Sequence, residues 1–154
     1  MSNYIRPKSP GATIFFTVNL ADRSSDLLTR EIATLRKAVA ATRSERPFGI
    51  DAWVVLPDHM HCVWSLPDDD ADFSMRWSVI KARFSYALDD HPRRRSHIAR
   101  REKGIWQRRF WEHHIRNTEN FAAHVRYCWF NPVKHGYVET PEAWPYSSYH
   151  RDTP

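Results

Sequence analysis

Within Asp51–Pro67, DAWVVLPDHMHCVWSLP, two histidines stand two residues apart, His59 and His61, in an otherwise apolar stretch. The stretch reads as two strands joined by a Leu56-Pro57-Asp58 corner. Alternate side chains on a strand leave opposite faces, with positions i and i+2 about 6.6 Å apart. Both imidazoles therefore share one face, while Met60, Cys62, Trp64 and Leu66 enter an apolar layer on the other. Two neutral imidazoles on such a strand suit a ligand pair for a divalent ion. Taken alone, the motif reads equally as two hydrogen-bonded polar residues on a wet sheet face. Further along, Tyr127 and Asn131 are spaced i, i+4 on a helix, one turn apart on one side. A tyrosine hydroxyl can act as a covalent nucleophile, and an amide oxygen one turn away suits a hard cation. By itself, Tyr127 reads more simply as a half-buried helix aromatic with a wet hydroxyl.

The chain that carries these residues has 154 of them, 42% hydrophobic and 27% charged, which fits one ordinary globular domain. A core over about 10–138 with a tail over 139–154 is expected. No apolar run approaches the ~20 residues of a membrane span. The first twenty residues lack the layout of a signal peptide, and Cys62 and Cys128 both lie in apolar stretches as small hydrophobes. A reducing cytoplasm is the expected location. The net charge is +5, but residues 91–116 alone hold nine Arg and Lys against two Glu, a local +7. Trp106, Phe110 and Trp111 are interleaved with that charge. Clustered cations with stacking rings are the footprint of a nucleic-acid surface; a solvated Arg-rich loop is the plainer alternative.

Strand-like alternation over Thr13–Leu20 puts Ile14, Phe16, Val18 and Leu20 on one face. Leu28, Ile32, Leu35 and Val39 then recur at helical spacing, capped by Ser24 or Ser25 and ended by Arg46-Pro47. Strands follow over Phe48–Leu56 and His59–Leu66 as a hairpin. An acidic loop over Asp68–Asp72 leads into a helix lined by Phe73, Trp77, Ile80, Phe84 and Leu88, with Asp72 or Ser74 as cap. His91–Lys103 reads as a basic loop and Ile105–Ile115 as an irregular fourth strand. A third helix from Thr118 or Asn120 carries Phe121, Val125 and Cys128. It should stop near Asn131, because a proline disfavours helical geometry in the residue before it. Gly136 turns the chain, and a Pro/Ser-rich tail runs over the surface. The order strand–helix–strand–strand–helix–strand–helix predicts a ferredoxin-like split βαβ sandwich of the α+β class. Its antiparallel sheet would carry helices on one face and leave the other open for DNA, with His59 and His61 on the open side.

Four blocks in this order, Asp51–Pro67, WQRRFWEHHIR at 106–116, YCWFNPVKHGYV at 127–138 and WPYSSY at 144–149, resemble the single-tyrosine HUH transposases. The likeness is greatest to the REP-associated tyrosine transposases, and Pro10–Leu20 also matches that branch. The resemblance implies a metal-dependent enzyme that nicks single-stranded DNA and transfers strands at palindromic hairpin repeats through a 5′-phosphotyrosine. It implies Tyr127 as nucleophile and His59, His61 and Asn131 as ligands to Mg²⁺ or Mn²⁺; relatives often carry Gln at the last position, so Asn131 acts directly or through a water. Glu112, His113 and His114 lie in a matching block, and one of them is expected to orient a ligand imidazole or touch substrate. Asp58 reads first as a plain turn residue, with an acceptor for the neighbouring His59 ring as the alternative. Arg93, Arg94, Arg95, Arg100, Arg101, Arg108, Arg109 and Lys134 are assigned to DNA phosphates. The expected partner is single-stranded or hairpin DNA, with the protein a monomer or a homodimer. The competing reading is a non-catalytic nucleic-acid-binding module built on the same sheet.

Overall fold

A computed structural model describes residues 9–88 and 104–152; the expected basic loop at His91–Lys103, with Arg93, Arg94, Arg95, Arg100 and Arg101, lies outside them. Four strands, β1 (Thr13–Asn19), β2 (Gly49–Val55), β3 (His59–Ser65) and β4 (Trp111–Ile115), form one antiparallel sheet in the order β2-β3-β1-β4. This is the α+β sheet expected of the split βαβ arrangement. β2 and β3 are a hairpin closed by Leu56 N–H donating to the His59 carbonyl at 2.8 Å.

The first face of the sheet is a dry aromatic layer. Ile14, Phe16 and Val18 from β1 and Met60, Cys62 and Trp64 from β3 are fully buried there. Two helices cover them: α2 (Ile32–Glu45) and α3 (Phe73–Ala87). The first helical stripe is interrupted, because a short α1 (Leu27–Arg30) ends at Glu31 before α2 begins. Neither predicted serine caps it through its side chain, although Ser25 Oγ accepts from Leu27 N–H at 3.1 Å. Asp72 does cap α3, accepting from Met75 N–H at 3.0 Å. Within the acidic loop, Asp70 receives the buried Arg76 guanidinium at 2.9 Å, which holds its carboxyl down to about 2.

Expectation and structure part on the second face. A long helix, α4 (Thr118–Lys134), packs across β2 and β3 and closes that half of it. The cause is its own apolar stripe: Phe121, Val125, Cys128 and Trp129 seat on Phe15, Ala52, Val54, Leu56 and Val63. Among the described residues the face stays open toward β4, where Trp111 is 57% exposed. Asn117 caps α4 by accepting from Asn120 N–H at 2.7 Å. The helix does not stop at Asn131. Pro132 is buried inside the last turn, which costs one backbone bond, and the turn is closed beyond it by His135 N–H to the Asn131 carbonyl at 3.0 Å. Gly136 then reverses the chain at φ +77°.

Two further expectations are corrected. The fourth strand is five residues long, and Trp106 meets Leu20 only through an isolated bridge. The tail is not a loose surface run. A 3₁₀ turn (Pro141–Ala143) and a short α5 (Tyr149–Asp152) flank a segment that pairs with the outer edge of β2. Val55 N–H donates to the Tyr146 carbonyl at 2.9 Å, Ser148 N–H to the Trp53 carbonyl at 2.8 Å, and Trp53 N–H to Ser148 Oγ at 2.9 Å. An unpaired edge strand is thereby covered. Among the described residues no helix is long and apolar enough to cross a membrane.

Trp64 is the keystone of the dry layer, with ring centroids 4.1 Å from Phe48, 4.5 Å from Trp77 and 4.8 Å from Phe16. Trp64→Ala should cost about 3–5 kcal/mol in chemical denaturation, and a loss below ~1 kcal/mol would contradict this packing.

Candidate functional site

β3 alternates as its sequence requires, so His59 and His61 emerge together on the α4 side of the sheet, each 5% exposed, with ring centroids 5.0 Å apart. Across them runs one side of α4. Asn120, His124, Tyr127 and Asn131 recur at spacings of four, three and four, and His135 follows as the C-cap. The Tyr127 ring stands edge-on to His61 at 5.1 Å, and His135 stands edge-on to His59 at 5.3 Å. Phe15, on β1, is the hub beneath them. Its ring stacks on His61 at 5.6 Å and meets the edge of Tyr127 at 5.7 Å. Lys134 Nζ lies 5.1 Å above the Tyr127 ring.

Each imidazole is held through Nδ1. Asp58 Oδ1 accepts from His59 Nδ1 at 2.8 Å; a carboxylate only accepts, so the proton sits on Nδ1 and the Nε2 lone pair is left for a ligand. Thr17 Oγ1, on the cross-strand partner of His61, is 2.8 Å from His61 Nδ1; with the hydroxyl as acceptor, Nε2 is likewise left for a ligand. Asp58 is itself anchored by Arg23 Nε donating to Oδ2 at 2.6 Å. Burial pulls the Asp58 carboxyl upward, but the bonds from Arg23 and His59 outweigh it and hold the group below the usual carboxylate value. Burial lowers His59, against the pull of Asp58. His61 is pushed down to about 3 by burial first, then by the basic groups around it, His59, His135, Lys134 and Arg23. Both rings are therefore neutral at physiological pH, the form that binds metal.

Asn131 is 1% exposed, and neither its amide oxygen nor its amide nitrogen has a hydrogen-bond partner. A buried amide without partners is costly and calls for an explanation. Among the described residues no three His, Cys, Asp or Glu side chains form a metal-binding group. Two Nε2 atoms and an amide oxygen fit a divalent cation with room for phosphate oxygens.

Of the other predicted residues Lys134 lies at this centre, and Glu112, His113 and His114 do not join it. Glu112 and His114 are register partners of Phe16 and Ile14 and so face α3; the His114 ring lies 6.0 Å from Phe73. His113 is on the site's face but turned to α4, 3.1 Å from Asn120 Oδ1 and stacked on His124 at 5.0 Å. The imidazoles are oriented by Asp58 and Thr17 instead. Asp58 is both the bend residue between the strands and the acceptor beside His59; Thr17 depends on the β1–β3 register, which no single sequence displays. Arg108 and Arg109 are exposed just ahead of β4.

No family model matches the chain. A REP-associated tyrosine transposase of Escherichia coli K12 is 50% identical over 152 residues, spanning 99% of this chain and 85% of that protein. A second relative, from Haemophilus influenzae Rd and ascribed to the same transposase family, is 44% identical over 154 residues, spanning 99% of this chain and 88% of its own length. The solved structure of a REP-associated tyrosine transposase bound to a REP hairpin superposes with a TM-score of 0.88 at 50% identity, over 99% of this chain and 85% of that one. A Deinococcus radiodurans protein described as a transposase shares the fold alone, at a TM-score of 0.51 and 12% identity over 88% of this chain and 95% of that one. Nearly the whole chain is matched at half identity, and the matched part contains the histidine pair, the tyrosine and the helix that joins them: the chain belongs to the REP-associated tyrosine transposases.

Proposed function

We propose that this chain nicks and rejoins single-stranded DNA beside a hairpin repeat, with Tyr127 as nucleophile and with His59, His61 and Asn131 holding Mg²⁺ or Mn²⁺. Tyrosine transposases are DNA-cleaving and strand-transferring enzymes, and the chain is one of them. The observation that carries the residue assignment is the contact of Tyr127 with His61 at 5.1 Å, beside a buried amide that has no partner. The REP hairpin held by the similar transposase supports hairpin DNA with an unpaired flank as the substrate.

The Tyr127 Oη attacks phosphorus in line, its proton passing to solvent. The P–O3′ bond breaks, the 3′-oxygen takes a proton, and the 5′-phosphate stays on the tyrosine. In the second step a 3′-hydroxyl attacks, the P–O bond to Tyr127 breaks, and the aryloxide leaves and is reprotonated. One ester replaces another at each step, so no nucleotide energy source is required. His59, His61 and Asn131 would hold the divalent cation, which when bound would neutralise charge developing on the phosphoryl oxygens. His59 and His61 keep neutral Nε2 atoms aimed at the site because Asp58 and Thr17 fix their rings. Lys134 brings a positive charge beside the attacking ring, where the phosphate must arrive. Phe15 keeps water from one side of both rings. All these groups come from one chain, which favours a monomer as the working unit. Buried free thiols at Cys62 and Cys128 fit a cytoplasmic setting.

Three outcomes test this. With Mn²⁺ and a flanked hairpin, the wild type forms a denaturation-resistant protein–DNA adduct, and Tyr127→Phe forms none while binding the hairpin within a few-fold; cleavage that survives the substitution points to a water nucleophile instead. Asp58→Asn should weaken Mn²⁺ binding, read by calorimetry, about 10–100-fold without unfolding the chain, and unchanged affinity would remove Asp58 from its positioning role. In EDTA, the unfolded chain takes up a proton at His61 near pH 6.5 that the folded chain refuses until about pH 3. Wild-type stability should therefore fall relative to His61→Gln as pH drops from 6.5 toward 4, and parallel curves would contradict the buried neutral ring.

A further inference from the structure

An exposed tryptophan is no site in itself, but Trp111 is held in a way that a solvated side chain is not. Its indole lies parallel to the His113 ring, 6° between planes and 6.0 Å between centroids. His113 in turn stacks on His124 at 5.0 Å. Asn120 locks both histidines: its Oδ1 is 3.1 Å from His113 Nε2, and its carbonyl is 2.8 Å from His124 Nδ1. The ladder is tied to the centre through Phe15, whose ring meets His124 at 4.8 Å and Trp111 edge-on at 5.9 Å. Yet Trp111 is 57% exposed, while Trp64 and Trp77 are fully buried.

Register fixes its position relative to the centre. Thr17 is the cross-strand partner of both His61 and Trp111, so the three side chains lie in one row on the same face of the sheet. Two strand spacings separate His61 from Trp111, about 10 Å. Stacked DNA covers that span in roughly three phosphates at ~3.4 Å each, and an extended strand in fewer. Arg109 is exposed two residues ahead of Trp111.

We infer that Trp111 is a stacking subsite for one unpaired nucleobase of the single strand that leads to the scissile phosphate, with His113, His124 and Asn120 as its support. An indole face accepts any base, so the subsite sets the path and distance of the strand and reads no sequence. This rests on the DNA-processing reading of the Tyr127 centre.

The test uses the full chain and a DNA hairpin with single-stranded flanks on both sides, each flank position replaced in turn by an abasic nucleotide. Trp111→Ala should weaken hairpin binding about 10-fold or more, and Trp111→Phe by less than about 3-fold. One abasic position should weaken wild-type binding by a similar factor and leave Trp111→Ala unaffected. Shortening the flanks past that position should abolish the difference between the two proteins. The stacking subsite is overturned if Trp111→Ala binds within 2-fold of wild type, or if its loss adds fully to that of every abasic position. Adduct formation by the wild type is scored in parallel. Its absence would remove the catalytic reading, whereas the abasic series judges the subsite on binding alone.

Discussion

Everything in this molecule that bears on function depends on how one helix lies across one hairpin. α4 buries Val125 and Cys128 against Ala52, Val54, Leu56 and Val63, and that apolar seat determines what the helix's polar side meets. A rotation of the helix by one residue, about 100°, would carry Tyr127 and Asn131 away from the histidines together. The contact between Tyr127 and His61 is therefore a consequence of core packing. Phe15 belongs to both: it is part of the apolar seat and the surface on which His61 stacks.

Electrostatics does the rest. Burying two imidazoles keeps them uncharged, and the cationic groups around them push the same way. A buried unpaired acid would undo that arrangement, and the Asp58 carboxylate is held twice, by an ion pair with Arg23 and a hydrogen bond from the His59 N–H. Asn131 contributes a donor atom with no charge of its own. The unsatisfied amide is a local cost of the kind that functional sites carry. An anionic DNA strand and a cation would each find compensation there.

How much of this could be read from the sequence follows from the range of each cause. The alternation of β3 is local, so the shared face of His59 and His61 and the apolar partners Met60, Cys62 and Trp64 were legible. So was the i, i+4 relation of Tyr127 and Asn131, and family likeness joined the two halves. What was not legible depended on partners distant in the chain. Thr17 reaches His61 only through the β1–β3 register. Glu112 and His114 sit beside the site in the sequence, but strand alternation sends them to the α3 side, and the extent of β4 is not marked by its irregular pattern. Pro132 reads as a stop, yet burial in the last turn tolerates the missing backbone bond. The tail reads as Pro/Ser-rich surface, and its pairing with β2 comes from an edge that only the folded sheet exposes. The covering of half the second face by α4 has the same origin, since a stripe of Phe121, Val125 and Cys128 indicates burial without indicating where.

The central claim is spatial: a cation, the histidine pair, the buried amide and the tyrosine form one centre within one chain. Paramagnetic line broadening tests it directly. Substoichiometric Mn²⁺ added to isotope-labelled protein should first broaden the imidazole signals of His59 and His61, the side-chain amide of Asn131 and the ring of Tyr127, with equal effect at high dilution. Broadening that begins instead at the acidic Asp68–Asp72 loop, or that spares Asn131 and Tyr127 while reaching the histidines, would contradict it.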